Sequence, residues 1–379
     1  MRTRSQTVVA IFVASVVTLL PREETFASTL KPCTGPVEQY NNCSAASTSS
    51  DGFKYTGEWR NGLPEGSGEL LFPDGYRYVG TFSRGKRNGL FVARYPSGEK
   101  HVGMYIEDKP EGVVILYNRD GTTSTVVVYS NGLENSNETN TLREQLQEAL
   151  GAAKLSDFET ALDIWLPLAE AGNAEAQYQI AIMNEHGEGI PENKIAAQNW
   201  MKRAAEQHHP KAQQILGNYL FHGTAGEVDK QQSYAWMLAA AENGVIQAQR
   251  ETAMNLLDGE GVKKDQRRAI YWFSVAALNS DLYSALELGN QFAGGKLTKR
   301  NDLRAYQWYY IASGYQGPNY KNVEFKDRYA SPLAEKELER LAKKLKKSDV
   351  DKAKQLTDHC LLEESMDAAF KTCGLDIFR

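Results

Sequence analysis

The stretch GEGVKKDQRRAIYWFSVAA, residues 259–277, contains the pattern that decides the fold of most of the chain. A glycine-bearing loop is followed by Asp265, then by Trp272 and, four residues later, by Ala276. Residues four apart lie on one face of a helix, so the tryptophan and the small residue would share a buried face. The stretch therefore predicts a loop, a capped helix and close contact with a neighbouring helix.

The same pattern recurs through the second part of the chain. Tryptophans spaced by 35, 36, 36 and 36 residues are each followed four residues later by an alanine: Trp165 and Ala169, Trp200 and Ala204, Trp236 and Ala240, Trp272 and Ala276, Trp308 and Ala312. A second helix is marked by the small residues Ala176, Ala212, Ala248 and Ser284, and N-caps are expected at Asn193, Asp229, Asp265 and Asp302. This repeat predicts helical pairs stacked into a right-handed α/α solenoid.

The pattern resembles the Sel1-like repeat, a relative of the tetratricopeptide repeat, over residues 157–316. Residues 142–156 add an opening helix, so we expect the solenoid over 142–320 and a helical C-terminal cap over 321–379. In solenoids of this kind the first helix of each pair lines the concave face, and positions two, three, six and seven after the small residue point outward. The resemblance thus implies a partner-binding face formed by Tyr178, Gln179, Met183, Gln214, Asn218, Tyr219, Arg250, Glu251, Asn255, Glu287, Asn290 and Gln291.

The first third of the chain repeats every 23 residues. Aromatic positions recur as Tyr55 and Tyr78, and as Trp59, Phe82 and Tyr105, while glycines recur as Gly57, Gly80 and Gly103, as Gly66, Gly89 and Gly112, and as Gly75, Gly98 and Gly121. Alternation of aromatic with small or polar residues predicts strands, and the glycines predict turns. We expect stacked β-hairpins that form one small, elongated sheet with a ladder of rings.

This segment resembles the MORN (membrane occupation and recognition nexus) repeat over residues 51–123, with a partial unit to Gly132. We expect a MORN-like domain at 51–134, with fraying near His101 and Asp108, and a linker at 135–141. The resemblance implies either docking of a protein or contact with a membrane. Residues 51–134 contain 10 Lys/Arg and 11 Asp/Glu, without the basic cluster that anionic lipids require. A docking or structural sheet is therefore favoured over a lipid- or glycan-binding surface.

The composition narrows the class of protein. The chain has 379 residues, of which 41% are hydrophobic and 24% charged, so a multidomain globular protein is expected. Its net charge of -5 argues against nucleic acid as a partner, because duplex binding requires a broad basic surface.

The N-terminal residues predict export. Arg2 and Arg4 precede a mostly apolar run at 7–20, which is typical of a secretory signal peptide over 1–27. The charged residues at 22–24 leave an uncleaved inner-membrane anchor as the alternative. We expect an exported protein, located in the bacterial periplasm.

The four cysteines lie outside both repeat regions. An even number in an exported chain implies disulfides, and short separations favour Cys33 with Cys43 and Cys360 with Cys373 among three connectivities. Residues 28–50 would thus form a disulfide-bearing N-terminal segment. No CxxC pair is present, so no metal site is expected.

No motif for catalysis or cofactor binding stands out. GxSxG, HExxH, the Walker loop and the dinucleotide fingerprint are missing from the sequence, and the loop at 187–189 lacks the Lys-Ser/Thr of a phosphate loop. His186 and His222 occupy equivalent positions in consecutive repeats, for which ordinary loop capping is the expected role. Some exported, cysteine-rich relatives of the Sel1-like repeat are linked to β-lactam binding, but the repeats of this chain have no cysteine pairs.

The leading hypothesis is a non-enzymatic exported adaptor or scaffold that binds a protein or peptide through its helical repeats. One alternative is an envelope-surface protein that binds lipid or glycan through the MORN-like sheet. A second alternative is a weak cell-wall or β-lactam hydrolase. The oligomeric state is left open.

Overall fold

The computed structural model describes residues 30–295, 299–315, 329–362 and Cys373. In this part of the chain, a nine-stranded antiparallel sheet comes first and a series of helices follows, which confirms the predicted order of β then α. The expected signal peptide at 1–27 lies outside the described residues. Among the described helices, none has the length and apolar character that crossing a membrane requires.

Each strand of the sheet pairs with its neighbours in the sequence, as stacked hairpins require. The strands are β1 (Cys43–Thr48), β2 (Lys54–Arg60), β3 (Leu63–Leu71), β4 (Arg77–Ser83), β5 (Lys86–Arg94), β6 (Lys100–Ile106), β7 (Lys109–Tyr117), β8 (Thr123–Ser130) and β9 (Leu133–Glu134). The Cys33–Cys43 disulfide, with a Cα–Cα distance of 5.0 Å, holds the preceding segment against β1. That segment includes a single 3-10 turn at Val37–Gln39.

One face of the sheet carries the ladder of aromatic rings that the sequence predicts. Tyr55 packs edge-on against Trp59 and Phe82, with ring centroids 5.1 and 4.9 Å apart, and Tyr78 continues the ladder on the next hairpin. A Cβ at Gly80 would lie 2.8 Å from the hydroxyl of Tyr78 and 2.7 Å from a backbone oxygen. The glycine is therefore needed for the ring to lie flat across its own strand.

The fraying expected at the third repeat is wrong. Strands β6 and β7 pair from Lys100 to Tyr117, and β8 continues the sheet. The ring of His101 packs at 4.6 Å on Tyr95, and the Asp108 carboxylate accepts a hydrogen bond from the backbone of Arg87 at 3.0 Å. Both residues that depart from the repeat thus find partners on the adjacent hairpin.

The helices form successive antiparallel pairs. They are α1 (Ser136–Lys154), α2 (Phe158–Glu170), α3 (Ala174–His186), α4 (Lys194–Glu206), α5 (Pro210–His222), α6 (Lys230–Glu242), α7 (Ile246–Asp258), α8 (Gln266–Leu278), α9 (Leu282–Gly294), α10 (Asp302–Ala312), α11 (Ala330–Ala342) and α12 (Lys347–Leu362). Each helix from α2 to α10 packs on the next, which produces the solenoid. Helices α11 and α12 pack on α10, and the Cys360–Cys373 disulfide lies at this end with a Cα–Cα distance of 5.2 Å.

The linker expected at 135–141 is instead the start of α1. The side chain of Asn135 caps the helix by accepting from the backbone N–H of Glu138. One turn later Thr139 is fully buried, and its hydroxyl accepts from the backbone N–H of Val128 in β8 at 2.8 Å. The polar composition that predicts a linker is thus used for capping and for contact with the sheet.

The repeated small residues lie at the centre of the solenoid. The alanines Ala169, Ala204, Ala240, Ala276 and Ala312 are all buried, as are Trp165, Trp272 and Trp308, whereas Trp200 and Trp236 are half-buried. Asn193, Asp229 and Asp265 cap their helices as predicted. The cap of α10 is Asn301 rather than Asp302, because the repeat of 36 residues continues from Asp265 to Asn301; Asp302 pairs with Arg300 instead.

A row of buried glutamines joins consecutive units at the turns that precede α3, α5 and α7. Gln177, Gln213 and Gln249 each donate from Nε2 to a carbonyl near the end of the preceding helix, at 3.1 to 3.2 Å. Their Oε1 atoms accept from an amide in the turn that follows the next helix, the side chains of Gln207, Asn243 and Asn279 respectively. This amide ladder therefore satisfies polar groups that the stacked turns bury.

The second face of the sheet packs on the start of the solenoid. Val92, Val102, Ile115 and Val126 form one apolar cluster with Ala174 and with Leu142 and Leu146 of α1. The turn before β8 reaches further along the solenoid. A Cβ at Gly121 would lie 3.0 Å from the carbonyl oxygen of Asn243, and one at Gly244 would lie 2.4 Å from the carbonyl oxygen of Arg119. The sheet is thus packed onto the edge of the solenoid where the amide ladder lies.

Replacement of Gln213 by Met is expected to destabilise the protein by about 2 kcal/mol or more. The change removes two hydrogen bonds and leaves the side-chain amide of Asn243 without its acceptor, and an unsatisfied buried group costs about 1–3 kcal/mol. The carbonyl of Ala205 still accepts from the backbone N–H of His208. Urea unfolding monitored by circular dichroism measures the change. Gln214→Met is the matched control, because Gln214 is only half-buried, and its effect should stay within about 0.5 kcal/mol. Equal effects of the two changes would contradict a structural role for the ladder.

Candidate partner-binding face and the sheet–solenoid joint

Helices α3, α5, α7 and α9 are the first helices of their pairs, and we call the surface that they expose the A-helix face. The structure places nine of the twelve predicted residues at least partly on the surface: Tyr178, Gln179, Gln214, Asn218, Arg250, Glu251, Asn255, Glu287 and Asn290. Met183, Tyr219 and Gln291 are buried, with 1%, 4% and 9% of their surface exposed.

The three buried residues share one cause. Each lies seven positions after the small residue that packs against the neighbouring helix. Seven residues at about 3.6 per turn amount to nearly two full turns, so this position returns to the packed side. The expectation that position seven points outward is therefore wrong for Met183, Tyr219 and Gln291. Burial, together with the nearby carboxylate of Glu185, raises the pKa of Tyr219.

Two large residues of the A-helix face were missed by the sequence reasoning. Met254 of α7 is 40% exposed, and Tyr283 of α9 is 45% exposed. Met254 stands six positions after Ala248, and Tyr283 directly precedes Ser284. Position six is among those expected to point outward, and it is held by Ile182, Asn218, Met254 and Asn290 in the four units, so this position was itself the signal for Met254.

Arg250 fixes the geometry around these exposed residues. Its guanidinium donates to the carboxylate of Asp281, which also caps α9 by accepting from the backbone N–H of Ser284 at 2.7 Å. The same guanidinium lies 5.7 Å from the ring centroid of Tyr283. Arg250 is thus a connection between adjacent units, and Met254 lies one helical turn further along the same face.

The carboxylates of this face are held by neutral groups. Glu251 accepts from the side-chain amide of Gln247 at 2.7 Å, and Glu287 accepts from Gln291 and, at 3.4 Å, from Asn290. Amides position a carboxylate without neutralising it. The A-helix face of α7 and α9 therefore combines negative charge with two exposed apolar side chains.

Tyr178, expected to face a partner, packs on His209, the residue that meets Tyr117 of the sheet at 6.2 Å between ring centroids. The ring of Tyr178 stacks on His209 at 4.6 Å. His209 caps α5 by accepting at Nδ1 from the backbone N–H of Ala212, and its Nε2 lies 3.2 Å from Glu175. These partners assign the proton to Nε2. Burial alone would raise the pKa of Glu175, but the hydrogen bond and charge of His209, with Gln179 and Thr123, lower it to about 2.

Two cations of the sheet lie at this joint. Arg94 and Lys100 are direct cross-strand partners in β5 and β6. Arg94 donates to the carbonyl of Glu242 at 3.3 Å and to Oδ1 of Asn243 at 3.1 Å, at the end of α6, where the helix dipole is negative. Lys100 is 4% exposed, and its Nζ has no hydrogen-bond partner and lies 4.2 Å from the ring centroid of Tyr117.

The solenoid contributes a third basic group at the same place. His208 lies in the turn between α4 and α5, where its φ is +60°. Burial, followed by the charges of Lys100 and Arg94, lowers the pKa of His208 to about 3. Burial, followed by the charge of Arg94, also lowers the pKa of Lys100 well below its usual range. The joint therefore disfavours protonation of both groups.

The histidines and cysteines do not assemble a metal site in the part of the chain that the structure describes. His186 and His222 are the last residues of α3 and α5, and both are exposed. Each precedes a glycine in the left-handed conformation that ends the helix, Gly187 and Gly223. Their equivalent positions thus follow from the repeated helix end.

Lys100→Met is expected to stabilise the protein by about 1–3 kcal/mol, because it replaces a buried, unpartnered amine with an apolar side chain of similar length. The midpoint of urea unfolding at neutral pH measures the gain. Lys54→Met, at an exposed position of the same sheet, provides the control and should change stability by less than about 0.5 kcal/mol. A loss of stability in Lys100→Met would show that the amine has a favourable interaction in the folded state.

Comparison with known families identifies both repeat regions. The chain matches the Sel1 repeat at residues 174–209, 210–245, 246–281 and 282–313. Each matched unit begins at α3, α5, α7 or α9 and includes the following helix. The chain matches the MORN repeat at residues 55–75 and 78–100. The hairpins β6/β7 and β8/β9 and the helical pair α1/α2 continue the two architectures beyond the matched residues.

Several solved structures are similar to part of the chain. A protective antigen of uropathogenic Escherichia coli with an SLR fold shares 27% identity, with 56% of this chain and 42% of that chain covered and a TM-score of 0.43. A Sel1 repeat protein from Oxalobacter formigenes shares 27% identity over 52% of this chain and 77% of that chain, with a TM-score of 0.40. An immunity protein of Pseudomonas aeruginosa shares 15% identity over 57% of this chain and 84% of that chain, with a TM-score of 0.31.

The chain thus spans less than half the length of the E. coli antigen. A search of the curated proteins found no match. The matches, together with the hairpin sheet and the helical solenoid, show that this chain contains MORN repeats at 55–100 followed by four Sel1 repeats at 174–313.

Proposed function

We propose that this protein is a non-enzymatic, exported adaptor that binds an extended segment of a protein partner on its A-helix face. Sel1 repeats generally serve as scaffolds for protein–protein interaction, and four of them make up the centre of this chain. Extended segments suit such surfaces because successive helices present side chains at regular intervals.

The exposed pair Met254 and Tyr283 is the observation that carries this proposal. The two side chains are 40% and 45% exposed and lie on neighbouring units that Arg250 connects. Met adapts to varied apolar shapes, and Tyr combines a large contact area with a hydroxyl, so both are favoured at binding surfaces. Polar residues surround them, which is the usual arrangement of an interface centre and its rim.

The negative charge of the A-helix face indicates which side chains the partner segment would carry. Glu251 and Glu287 flank the exposed pair, and both are held by neutral amides. A partner with an apolar side chain for Met254 and Tyr283, and with Lys or Arg beside it, would complement both features.

Lipid or glycan binding through the sheet is the weaker alternative. The basic residues at the turn between β4 and β5 are paired, Arg84 and Lys86 with Glu107, and Arg87 with Asp108. Arg87 also lies 4.3 Å over the ring of Tyr105. These contacts leave little unpaired positive charge to attract an anionic membrane.

The proposal of export rests on the disulfides. Cys33–Cys43 and Cys360–Cys373 would persist in an oxidising compartment such as the periplasm. Absence of enzymatic activity is part of the same proposal, since the repeats account for the clustered polar residues of the A-helix face through capping and contacts between units. A weak hydrolase remains the alternative that an activity assay would reveal.

The test compares crosslinked pulldowns from cell envelopes using the full chain, the double variant Met254→Asp/Tyr283→Ala, and the control Ile195→Ser. Ile195 is 64% exposed on α4, outside the A-helix face. We expect a discrete protein that the wild type and the control capture and the double variant loses. With that partner purified, the double variant should raise Kd at least tenfold, which corresponds to about 1.4 kcal/mol.

Equal recovery with the double variant would discard this face. Recovery of lipid or glycan without any protein would instead favour the sheet as the binding element. Full-length variants are preferable to separate fragments, because residues 51–134 share an apolar cluster with α1 and Ala174.

A further inference from the structure

The last helices, α10 to α12, carry a charge opposite to that of the preceding part of the molecule. Residues 30–295 contain 23 Lys/Arg and 33 Asp/Glu, whereas residues 299–315 and 329–362 together contain 11 Lys/Arg and 7 Asp/Glu. The positive charge is concentrated between α11 and α12 in four exposed side chains that we call the lysine turn: Lys343, Lys344, Lys346 and Lys347. A negatively charged solenoid thus ends in a positively charged turn.

The residue in the middle of the lysine turn holds it in place. Leu345 packs against the apolar core of the solenoid, and its backbone N–H donates to the carbonyl of Leu341 in the last turn of α11. The backbone N–H of Lys344 donates to the same carbonyl. The backbone of the turn is therefore fixed, while the lysines on both sides of Leu345 are left in the solvent.

Ion pairing does not account for these charges. Other cations of the same helices are paired, Arg300 with Asp302 at 2.9 Å and Arg340 with Glu337 at 2.6 Å. Among the described residues, no carboxylate forms an ion pair with the lysine turn. Its four ammonium groups are thus available to an anionic partner.

Two of these lysines also oppose the dipole of a helix. The carbonyl of Lys346 accepts from the backbone N–H groups of Asp349 and Val350, and Lys347 is the first residue of α12. The amino end of a helix carries partial positive charge, which disfavours cations there. The lysines therefore do not serve the stability of α12, and attraction of an anion is a role that would offset their cost.

The outer face of α11 adds an apolar side chain to this surface. Leu333 is 55% exposed, and Lys336 and Arg340 follow it three and seven residues later, on the same side of the helix. The lysine turn begins directly after the last residue of α11. Basic residues around an exposed leucine are typical of helices that lie at a membrane surface, where the cations meet lipid phosphates and the leucine enters the acyl boundary.

We propose that the lysine turn and the outer face of α11 attach this protein to an anionic phospholipid surface. Lysines are point charges that attract phosphate without requiring a fixed geometry, and clusters of four or more favour anionic lipids. The basic residues of the sheet are paired, so the lysine turn is the better site for such contact. The proposal does not depend on partner binding at the A-helix face, because α7 and α9 contribute no residue to this surface.

The test is co-sedimentation with vesicles of phosphatidylcholine alone and of phosphatidylcholine with about one third phosphatidylglycerol. The chain is used without residues 1–27, because their apolar run would itself bind vesicles; all described residues are retained. We expect binding to the anionic vesicles only. Since salt screens exposed charges, the affinity should fall by about tenfold or more between about 50 and 500 mM salt.

Replacement of all four lysines of the turn by Gln is expected to weaken binding by about 100-fold or more. Each lysine near an anionic surface contributes about fivefold to the binding constant. The matched control replaces four exposed lysines elsewhere on the solenoid by Gln: Lys154, Lys211, Lys263 and Lys264. The control changes the net charge equally and should bind as wild type. Thermal unfolding monitored by circular dichroism checks that both variants are folded.

Three results would overturn the proposal. They are equal binding to neutral and anionic vesicles or to neither, equal binding by the two quadruple variants, and binding of heparin, a soluble anionic polysaccharide, in preference to the vesicles. Should the variant of the lysine turn fail to fold, Lys343→Gln/Lys344→Gln and Lys346→Gln/Lys347→Gln repeat the test in two halves. Each double variant is expected to bind about 25-fold more weakly than wild type, and wild-type binding by both would contradict the proposal.

Discussion

The solenoid is assembled so that the backbone N–H and C=O groups at its buried helix ends find hydrogen-bond partners. Stacked helical pairs bury the turns between them, and the carbonyls and amides of those turns have to find partners. Gln177, Gln213 and Gln249 contribute to this by donating to the end of the preceding helix and by accepting from an amide in the turn after the following helix. Alanine contacts set how closely the helices approach, and the amides set how one pair is placed on the next.

The sheet is attached to the same network. Arg94 donates to Oδ1 of Asn243, and Nδ2 of Asn243 donates to Gln213. A side chain of β5 is therefore one hydrogen bond away from the interior of the amide ladder. The apolar contacts with α1 bury hydrophobic surface of the sheet. The polar contacts of Arg94 and Asn243 set the position of the sheet along the solenoid. The sheet thus belongs to the construction of the solenoid and is not a module on a flexible tether.

Periodic features were predictable from the sequence, because each repeat samples the same environment. The spacing of Trp272 and its equivalents predicted the helical pairs, and the recurrence of Tyr55 as Tyr78 predicted the hairpins. The joint was not predictable, since it forms between two different repeats and has no period of its own. In the sequence, the joint is marked by a departure from the helical repeat: His208 stands in a turn where other units have glycine or serine. Tyr219 was misplaced because position seven returns to the packed side of a helix.

The two outer strands of the sheet have a consequence for self-association. Open sheet edges are templates for pairing with another chain. At one end, the backbone of Lys31 and Cys33 bonds to Ser44 of β1, and the Cys33–Cys43 disulfide keeps that segment in place. At the other end, β9 is only two residues long and leads directly into α1. Next to β9, the edge of β8 is met by α1, where Thr139 bonds to Val128 and Arg143 to Val126. Both edges are thus partly covered, which disfavours the addition of strands from other molecules.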